Sequence, residues 1–469
     1  MKPARTARLA AALHGLALTA SLLVASTLLA GCASLREVST QDFPLPSDSS
    51  PTVQGATGTL SAPRTQSLLM RKWKNSFADT QAMAAMEELA TSQPLIAGNS
   101  VTLLYDGPQT IAAMAQAISA ATSHINLETY IFDADEVGNP LADLLIARQQ
   151  DGVAVHVIVD AVGTLNTPQV FFDRLRAAGV QVVVFNPINP FLAQGPWEIN
   201  QRDHRKLLVV DGAVAFAGGV NISSGYSNSS LFRARNKAPA VVGWRDTHVQ
   251  IQGPAVAAMQ WSFLEHWVSQ TATPLAVSDF FPVAKPAGKS LVRVLATTPD
   301  GGQEIYRAYL LAIQAARRSV HITSAYFLPD RSLVAALLEA AARGVDVRIL
   351  LPSVNESPLV FYAGQSLYQE LLQGGVRLYQ LRVAVLHAKT AVIDGLWSTV
   401  GSANLDLRSF LHNHELNVVV YDEAIGQAME AAFAEDQMAA TEITLAQWQQ
   451  RPLMDRLKQW QASQWAYWL

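Results

Sequence analysis

The chain has 469 residues, half of them hydrophobic, and this size allows two domains with separate cores. The net charge of −4 argues against a general nucleic-acid-binding protein, which would normally be basic, and a charged fraction of 15% leaves no long charged arm. The single cysteine, Cys32, excludes a disulfide framework within the chain.

Residues 1–31 are typical of an export signal. Lys2, Arg5 and Arg8 form a positive region, and an apolar stretch follows it and ends in small residues before Cys32. The ending Leu-Ala-Gly-Cys resembles the lipobox of bacterial lipoproteins, which implies cleavage before Cys32 and acylation of its thiol. The alternative is an uncleaved signal anchor with an incidental cysteine. In both cases we expect the body outside the cytoplasm, in the bacterial cell envelope, at the inner or the outer membrane.

The segment after the signal predicts a tether. Residues 36–66 are rich in Ser, Thr, Pro and Gly and show neither a helical nor a strand period. We therefore assign residues 32–95 to a tether and a leading helix. The body then divides into a first half at 96–275 and a second half at 276–469.

An internal repeat relates the two halves of the body. Helical apolar periods end near Gly152, Gly179, Gly344 and Gly375, each is followed by a short β-branched strand, and these glycines occupy matching places in the halves. The alternation of helix and strand predicts an α/β fold. Nearly apolar runs such as "VAVHVIVD" and "VDVRILLP" predict strands that are buried on both sides.

Each half carries one copy of the spacing His-x-Lys-x-x-x-x-Asp. The six motif residues are His204, Lys206, Asp211, His387, Lys389 and Asp394. Because side chains two positions apart in a strand point to the same face, the histidine and lysine of each copy project together. One such pair would usually be a solvated strand end, but two copies at matching repeat positions are not explained by chance.

Small residues follow each motif copy and favour an anion site. A glycine seven residues after each aspartate is followed by a small residue and then by an asparagine two positions on. Backbone N–H groups and an amide can approach an anion closely there, so we predict that Gly219, Asn221, Ser402 and Asn404 bind substrate. The lysine beside each histidine would repel Zn²⁺, so we predict neither a metal nor a cofactor.

The paired motifs resemble those of the phospholipase D superfamily and, within it, are closest to bacterial cardiolipin synthases. The resemblance covers about residues 100–422 and includes "NQRDHRKLLVVDG", "GWRDTHVQIQGPAV" and "HAKTAVIDG". It implies a duplicated phospholipase D-like fold, in which two mixed sheets flanked by helices are related by a pseudo-twofold axis. It also implies one site built from both motifs.

The motif residues suit attack on a phosphodiester. Lys206 and Lys389 can neutralise its charge, one histidine can attack phosphorus, and the other can protonate the leaving alcohol and deprotonate the acceptor. The residues themselves do not fix which histidine attacks. The resemblance implies that His204 is the nucleophile and His387 the acid/base.

A histidine in this role needs an acceptor on its other ring nitrogen. Asp246 and Glu415 stand at matching places in the halves, and in the superfamily an acidic residue near this position orients the motif histidine. We assign Asp246 to His204 and Glu415 to His387, with surface carboxylates as the alternative. We expect the motif aspartates to bond neighbouring groups rather than phosphate, and Glu128 to lie in a headgroup pocket or in solvent.

These features predict phosphatidyl transfer on phospholipid substrates at a membrane. Phosphatidylglycerol as acceptor would give cardiolipin, water would give phosphatidic acid, and the motifs do not choose between them. A nuclease is disfavoured by the acidic balance, and we expect no nucleic-acid partner. An inactive lipoprotein scaffold is disfavoured because all six motif residues are present. No obligate protein partner can be inferred.

Two further segments predict contact with lipid. The run "FNPINPFLAQGPWEIN" before the first motif is rich in Pro and large apolar residues, so it could rim a lipid-binding mouth or cap the core. The tail "WQQRPLMDRLKQWQASQWAYWL" holds four tryptophans and a tyrosine, which favour a membrane interface, although a helix packed on the body is equally compatible.

Overall fold

The structure is a computed structural model, and it describes residues 35, 49–74, 77–193, 197–198, 200–227, 243–275, 280–299, 301–353 and 357–465. The predicted export signal and Cys32 lie outside the described residues. Within the described part of the chain, no helix combines the length and the apolarity needed to cross a membrane.

Helices and strands alternate through the body, as the repeat predicts. The helices are α1 (Ala62–Trp73), α2 (Phe77–Thr91), α3 (Gly107–Ser119), α4 (Gly138–Gln150), α5 (Gln169–Ala177), α6 (Val256–Gln270), α7 (Glu304–Ala315), α8 (Arg331–Ala342), α9 (Pro358–Gln365), α10 (Tyr368–Gln373), α11 (Leu407–Leu411), α12 (Glu423–Met438), α13 (Leu445–Gln449) and α14 (Leu453–Ser463). The strands are β1 (Val53–Gly55), β2 (Gly58–Thr59), β3 (Leu95–Tyr105), β4 (His124–Thr129), β5 (Ala154–Asp160), β6 (Gln181–Phe185), β7 (Arg202–Asp203), β8 (Lys206–Val210), β9 (Val214–Gly218), β10 (Trp244–Arg245), β11 (Thr247–Gln252), β12 (Ser290–Thr297), β13 (Ser319–Ser324), β14 (Phe327–Leu328), β15 (Asp346–Pro352), β16 (Arg377–Leu381), β17 (Val385–Leu386), β18 (Lys389–Ile393), β19 (Trp397–Gly401), β20 (Leu405–Asp406), β21 (Asn413–Tyr421) and β22 (Ala440–Ile443).

Helix α8 shows how the sequence sets the helices of the repeat. Asp330 caps its N-terminus by accepting hydrogen bonds from the backbone N–H groups of Ser332 and Leu333. Its buried residues recur every three or four positions and turn one face towards the sheet. The helix ends before Gly344, whose φ of +88° is a left-handed conformation that favours glycine, and Gly152 (φ +90°) follows α4 in the same way.

The two halves repeat one strand order. In the first half the order is β6–β5–β4–β8–β9–β11–β3, and in the second it is β16–β15–β13–β18–β19–β21–β12. The three strands at the start of each order run parallel, and the other neighbours run antiparallel. The predicted duplicated, mixed α/β fold is therefore confirmed.

The two half-sheets are joined edge to edge rather than separate. Strands β3 and β12 pair antiparallel, with Ser290 opposite Asn99 and Val292 opposite Ile96. Apolar residues of both halves, among them Val292, lie in one buried cluster that the first-half helix α6 helps to cover. Each half therefore depends on the other for part of its core.

The prediction of a tether at 36–66 is wrong for the described residues of its second part. Strand β1 pairs with β2 and with β3, where Val53 lies opposite Leu95, and the Val53 side chain is fully buried. A strand at a sheet edge is held by backbone hydrogen bonds, so a segment with few apolar residues can still be ordered there. Helix α1 then begins within the same stretch.

The leading helices pack on the second half. Glu87 of α2 is buried and forms an ion pair with the guanidinium of Arg293, and it accepts hydrogen bonds from Trp397 Nε1 (3.3 Å) and the hydroxyl of Tyr421. An unpaired buried carboxylate would be costly, so these partners fix the position of α2. Residues 77–91 thus belong to the body.

Candidate active site

Both motif copies lie at the carboxyl ends of parallel strands. Lys206 begins β8 and is paired with Thr129 at the end of β4, whereas Lys389 begins β18 and is paired with Ser324 at the end of β13. The motif histidines stand two residues earlier. Sites in α/β sheets are usually built at this edge, which we call the motif edge and define by the carboxyl ends of β4, β5, β6, β13, β15 and β16.

Two short strand pairs attach each motif to the opposite half. Strand β7 pairs with β21, and the His204 N–H donates to the carbonyl oxygen of His414 (3.0 Å). Strand β10 pairs with β17, and the His387 N–H donates to the carbonyl oxygen of Arg245 (2.8 Å). These reciprocal pairings bring the two motifs together in one site.

The histidine–carboxylate pairs cross between the halves, so our assignment of the acids is wrong. His204 Nδ1 lies 3.0 and 3.1 Å from the two carboxylate oxygens of Glu415, and His387 Nδ1 lies 2.8 Å from Asp246 Oδ2. The reason is the strand pairing just described, because the residue before each acid pairs with the residue before the opposite histidine. Both acids are fully buried and are not surface carboxylates.

Glu415 is held as an ionised carboxylate. It accepts hydrogen bonds from the hydroxyl of Ser402 and from Asn413 Nδ2 (3.1 Å), in addition to its contact with His204. Burial acts to raise the pKa of Glu415, but His204, Lys206 and the hydrogen bonds outweigh it and lower the pKa to about 2. This half of the site therefore carries a permanent negative charge.

Asp246 has a weaker set of donors. It accepts from the Thr247 N–H (2.7 Å) and touches Gly219, where a Cβ would collide with the carboxylate. Burial raises its pKa to about 6, although Lys389 acts in the opposite direction. The carboxylate beside His387 is thus much closer to changing its protonation state near neutral pH than Glu415 is.

The motif lysines add positive charge that acts on both histidines. Lys206 Nζ donates to the carbonyl oxygen of His204 (2.6 Å), and Lys389 Nζ donates to that of His387 (2.5 Å). Burial, opposed by Glu415 and reinforced by Lys389, lowers the pKa of Lys206 to about 7. The two buried ammonium groups repel each other, and an anion bound near both would relieve that repulsion.

Both motif histidines are neutral near pH 7 before an anion binds. Burial lowers the pKa of His204 to about 4, with Glu415 opposing and Lys206 adding to the shift. Burial, Lys389 and Lys206 lower the pKa of His387 well below its usual range. Because each Nδ1 faces a carboxylate, we infer that Nδ1 carries the proton and that Nε2 keeps its lone pair.

The motif aspartates fix turns at the far ends of their strands. Asp211 accepts hydrogen bonds from the backbone N–H groups of residues 122–124 and from the Thr122 hydroxyl, and Asp394 accepts from those of residues 317–319. Burial acts to raise the pKa of Asp211, but these bonds lower it overall. Both residues have positive φ, which Asp tolerates better than most side chains. They have the bonding that we expected.

The predicted substrate-binding residues support the site from within. Asn221 accepts from the Ile131 N–H (3.2 Å) and donates to the Tyr226 hydroxyl (2.8 Å), and the Ser402 hydroxyl bonds Glu415. Gly219 lies against a carboxylate, as described above. The bonded groups of Asn221 and Ser402 thus have protein partners, and contact of these residues with substrate stays a prediction. Asn404 is buried, and its Oδ1 has no hydrogen-bond partner in the described residues.

Aromatic residues that the sequence reading missed surround the histidines. The Tyr226 hydroxyl lies 3.1 Å from His387 Nδ1, and the Trp244 ring lies 5.0 Å from the His387 ring. On the other side, the Tyr130 ring lies 5.2 Å from the His204 ring. The matching residue to Tyr226 in the second half is a serine, so the repeat gave no signal for it.

Glu128 does not lie in solvent. It is fully buried, 2.7 Å from His266 Nδ1 and 3.6 Å from the guanidinium of Arg205. Glu128, His266 and Asp203 have the ligand types of a metal site and lie within 4.8 Å of one another. Arg205 already places a positive charge against Glu128, which disfavours a cation there. Burial raises the pKa of both carboxyls, so the cluster suits a shared proton.

Together, two imidazole–carboxylate pairs and two lysines at the junction of duplicated halves define an enzyme of the phospholipase D superfamily. A family model described as "Cardiolipin synthase, PLD-like domain" matches residues 114–231 and 309–437. The chain belongs to this cardiolipin synthase family and is a phosphatidyltransferase of the superfamily.

Curated relatives agree with the family. The chain is 36% identical to the cardiolipin synthase of Geobacillus thermodenitrificans, over 78% of this chain and 71% of that protein. It is 35% identical to the major cardiolipin synthase ClsA of Bacillus subtilis, over 77% and 73%. It is 37% identical to cardiolipin synthase A of Pseudomonas syringae, over 78% and 74%.

A solved structure shares the fold. The phosphatidylserine synthase of Haemophilus influenzae superposes with a TM-score of 0.62 and covers 81% of this chain and 96% of its own. The two sequences are 14% identical, so this likeness concerns the arrangement of helices and strands alone.

Proposed function

We propose that the protein makes cardiolipin by transferring a phosphatidyl group from one phosphatidylglycerol to another. The observation that carries the proposal is that each motif histidine is paired with a carboxylate from the opposite half. Such a site offers two differently tuned imidazoles to one phosphate. The names of the curated relatives support this product.

In the first step, Nε2 of His204 attacks the phosphorus of the donor lipid. The bond between phosphorus and the headgroup oxygen breaks, His387 gives its proton to that oxygen, and glycerol leaves. A phosphatidyl group is now bound to His204 through a P–N bond. The bound phosphodiester supplies the negative charge that raises the pKa of His387 enough for it to carry this proton.

In the second step, the same groups act in reverse. His387 removes the proton from a headgroup hydroxyl of a second phosphatidylglycerol, and this oxygen attacks phosphorus. The P–N bond breaks, cardiolipin forms, and His204 returns to its neutral state. Lys206 and Lys389 neutralise the phosphate oxygens in both transition states. No metal or cofactor takes part in this scheme.

The two carboxylates support this division of work. Glu415, with a pKa of about 2, stays ionised and stabilises the positive charge that His204 acquires on phosphorylation. Asp246, with a pKa of about 6, is matched to a histidine that must gain and lose a proton within each cycle. His204 is therefore the nucleophile and His387 the acid/base in our scheme.

The test is a product analysis with the full chain and vesicles of phosphatidylglycerol. Cardiolipin and glycerol should appear in equal amounts, and His204→Ala should form neither. Phosphatidic acid with no cardiolipin would mean that water is the acceptor, and cleavage of DNA without lipid products would mean a nuclease. Either result would overturn the proposal.

We also propose that the chain is exported and lipid-anchored at Cys32, facing the periplasm. The basis is the signal-like residues 1–31 and the lipobox pattern. Mass spectrometry of the mature protein should find an acylated N-terminal cysteine, and Cys32→Ala should lack it. An intact Met1 without acyl chains on the wild-type protein would contradict the anchor but not the enzymatic proposal.

A further inference from the structure

Exposed apolar side chains gather on the first half of the motif edge. They follow the carboxyl ends of β5 and β6 and include Val162, Leu165, Ile188, Phe191 and Leu192. Phe191 is 94% exposed. A side chain of this size usually loses most of its contact with water on folding, so its exposure indicates a surface that another molecule covers.

The same pattern appears on the second half. Helix α14 packs on α9 through Ala462, which is buried, and through a hydrogen bond from Gln459 Nε2 to Gln365 Oε1 (3.0 Å). Its opposite face leaves large apolar side chains in solvent. They are Leu453, Met454, Leu457 and Trp460, and Trp465 follows the helix.

Contacts with neighbouring strands place both groups at the motif edge. In the first half, Asn186 Nδ2 donates to the carbonyl oxygen of Gln201, next to the first motif (3.0 Å). In the second half, α9 lies so close to β14 that a Cβ at Gly364 would collide with the carbonyl oxygen of Phe327. Strand β14 pairs with β20, which begins directly after Asn404.

The opposite edge of the sheets differs in composition. It carries the turns of Asp211 and Asp394 with their partners at residues 122–124 and 317–319, which are Thr-Ser-His and Arg-Arg-Ser. Exposed apolar residues occur near this edge too, since Phe281 and Val283 stand next to Phe280 and Pro282, which lie against Gly212. They form one smaller group, whereas the motif edge carries a group on each half.

Positive charge accompanies the apolar face of the second half. Arg451, Arg456 and Lys458 lie on or just before α14, where Asp455 is the sole acidic residue. Lys458 Nζ lies 5.2 Å from the centre of the Tyr362 ring. A helix with exposed Leu, Met and Trp beside Arg and Lys suits the interface of an anionic bilayer, because the rings enter the headgroup region and the cations meet phosphate.

We propose that the motif edge is a membrane-docking face, in which residues 188–192 and helix α14 enter the interface of an anionic bilayer on either side of the active site. The inference rests on the proposed function, since it is a membrane phospholipid that the two contacts would place below the histidines. Docking would let the headgroup reach the site while the acyl chains remain in the bilayer.

Labelling from the lipid phase tests the face directly. The full chain is reconstituted in vesicles of phosphatidylglycerol that contain an analogue with a photoreactive group in its acyl chain. Cross-links should map to residues 188–192 and 453–465 and be absent from residues 122–124 and 317–319. Cross-links confined to the first 35 residues, or equal on both edges, would overturn the proposal.

A matched pair of double variants tests the consequence for catalysis. Phe191→Ser with Trp460→Ser removes one side chain from each contact, and Phe281→Ser with Trp261→Ser removes an exposed pair elsewhere; Trp460 and Trp261 are 61% and 56% exposed. On vesicles the docking variant should lose about tenfold or more in turnover, and the control should keep wild-type turnover. On short-chain phosphatidylglycerol that stays monomeric, both should match the wild type.

These readouts separate the two proposals. If the enzyme makes no cardiolipin from either substrate but is cross-linked at the predicted residues, the docking face is supported and the proposed function is overturned. Wild-type turnover of the docking variant on vesicles would overturn the docking face alone. A stable dimer that buries residues 453–465 in the absence of vesicles would also overturn it, because a second copy would then be the occupant.

Discussion

The two half-sites have the same backbone arrangement and differ in the groups around their histidines. His204 faces Glu415, whose carboxylate also receives Ser402 and Asn413, whereas His387 faces Asp246 and the Tyr226 hydroxyl. The pKa of Glu415 falls to about 2, and that of Asp246 rises to about 6. Duplication thus supplied two equivalent positions, and local substitutions separated an ionised carboxylate from a titratable one.

The largest expected effect separates the two histidines themselves. His204→Ala should abolish the covalent phosphatidyl-enzyme, and turnover should fall by about 10³-fold or more, as for other nucleophiles. His387→Ala should lose similar turnover with phosphatidylglycerol but still form the adduct from a lipid with a nitrophenol headgroup, which leaves without a proton. Mass spectrometry of acid-quenched enzyme measures the adduct. An adduct in His204→Ala but not in His387→Ala would reverse the roles.

The two carboxylates should contribute unequally to turnover, and the larger contribution should come from Glu415, beside the nucleophile. Glu415→Gln removes a permanent charge from beside His204, and we expect turnover to fall on the order of a hundredfold. Asp246→Asn removes a group that is nearer to neutral, so its loss should be smaller. Steady-state kinetics on both variants decides this, with Glu415→Asp as the control that keeps the charge. Equal losses would mean that the difference in pKa has no role in the reaction.

The pH dependence of stability should differ in sign between the acids. Asp246 has a pKa raised above its ordinary value, so its favourable contribution is present at about pH 4 and lost as the pH rises through 6. Relative to the wild type, Asp246→Asn should gain about 2 kcal/mol in free energy of unfolding between pH 4 and 7. Glu415 has a lowered pKa and contributes fully above its ordinary value, so Glu415→Gln should stay destabilised throughout. Denaturant titrations of both variants from pH 4 to 7 measure this. If the two environments were equivalent, the free energies of unfolding of the two variants would change with pH in the same way.

The smallest effect concerns Tyr226. Tyr226→Phe removes the hydroxyl 3.1 Å from His387 Nδ1, and we expect turnover to fall about three- to tenfold, the cost of one hydrogen bond. The limb of the pH–rate profile that reports His387 should move, while adduct formation at His204 should not. Ser409→Ala, at the matching position of the second half, serves as the control for a change in the same turn. An unshifted profile would make Tyr226 a packing residue.

The sequence predicted the features that local spacing determines. The repeat, the turn glycines and the motif pairs depend on neighbours in the chain, and they lie where the pattern placed them. The partner of each histidine could not be found in this way, because matching positions identify Asp246 and Glu415 as equivalents but not the half that each one faces. That choice follows from the pairing of β7 with β21 and of β10 with β17, in which only two residues of each strand take part, and such short pairings have no sequence signature.

Burial was the other quantity that the sequence did not reveal. Glu128 and Asn221 are of residue types that are mostly exposed in proteins, yet both are buried and hydrogen-bonded to protein groups. Their partners, among them His266 and Tyr226, come from distant or non-repeated segments. The position that matches Tyr226 in the second half holds Ser409, so comparing the two halves could not identify the tyrosine.

The crossing of the carboxylates has a consequence for the order in which the chain is made. Glu415 lies 211 residues after His204, and His387 lies 141 residues after Asp246. A nascent chain that has reached only residue 275 contains one motif histidine and one of the two acids, which do not pair with each other. Neither imidazole–carboxylate pair can form until synthesis has reached the second motif, so a truncated or partly synthesised chain has no assembled site with which to act on lipids.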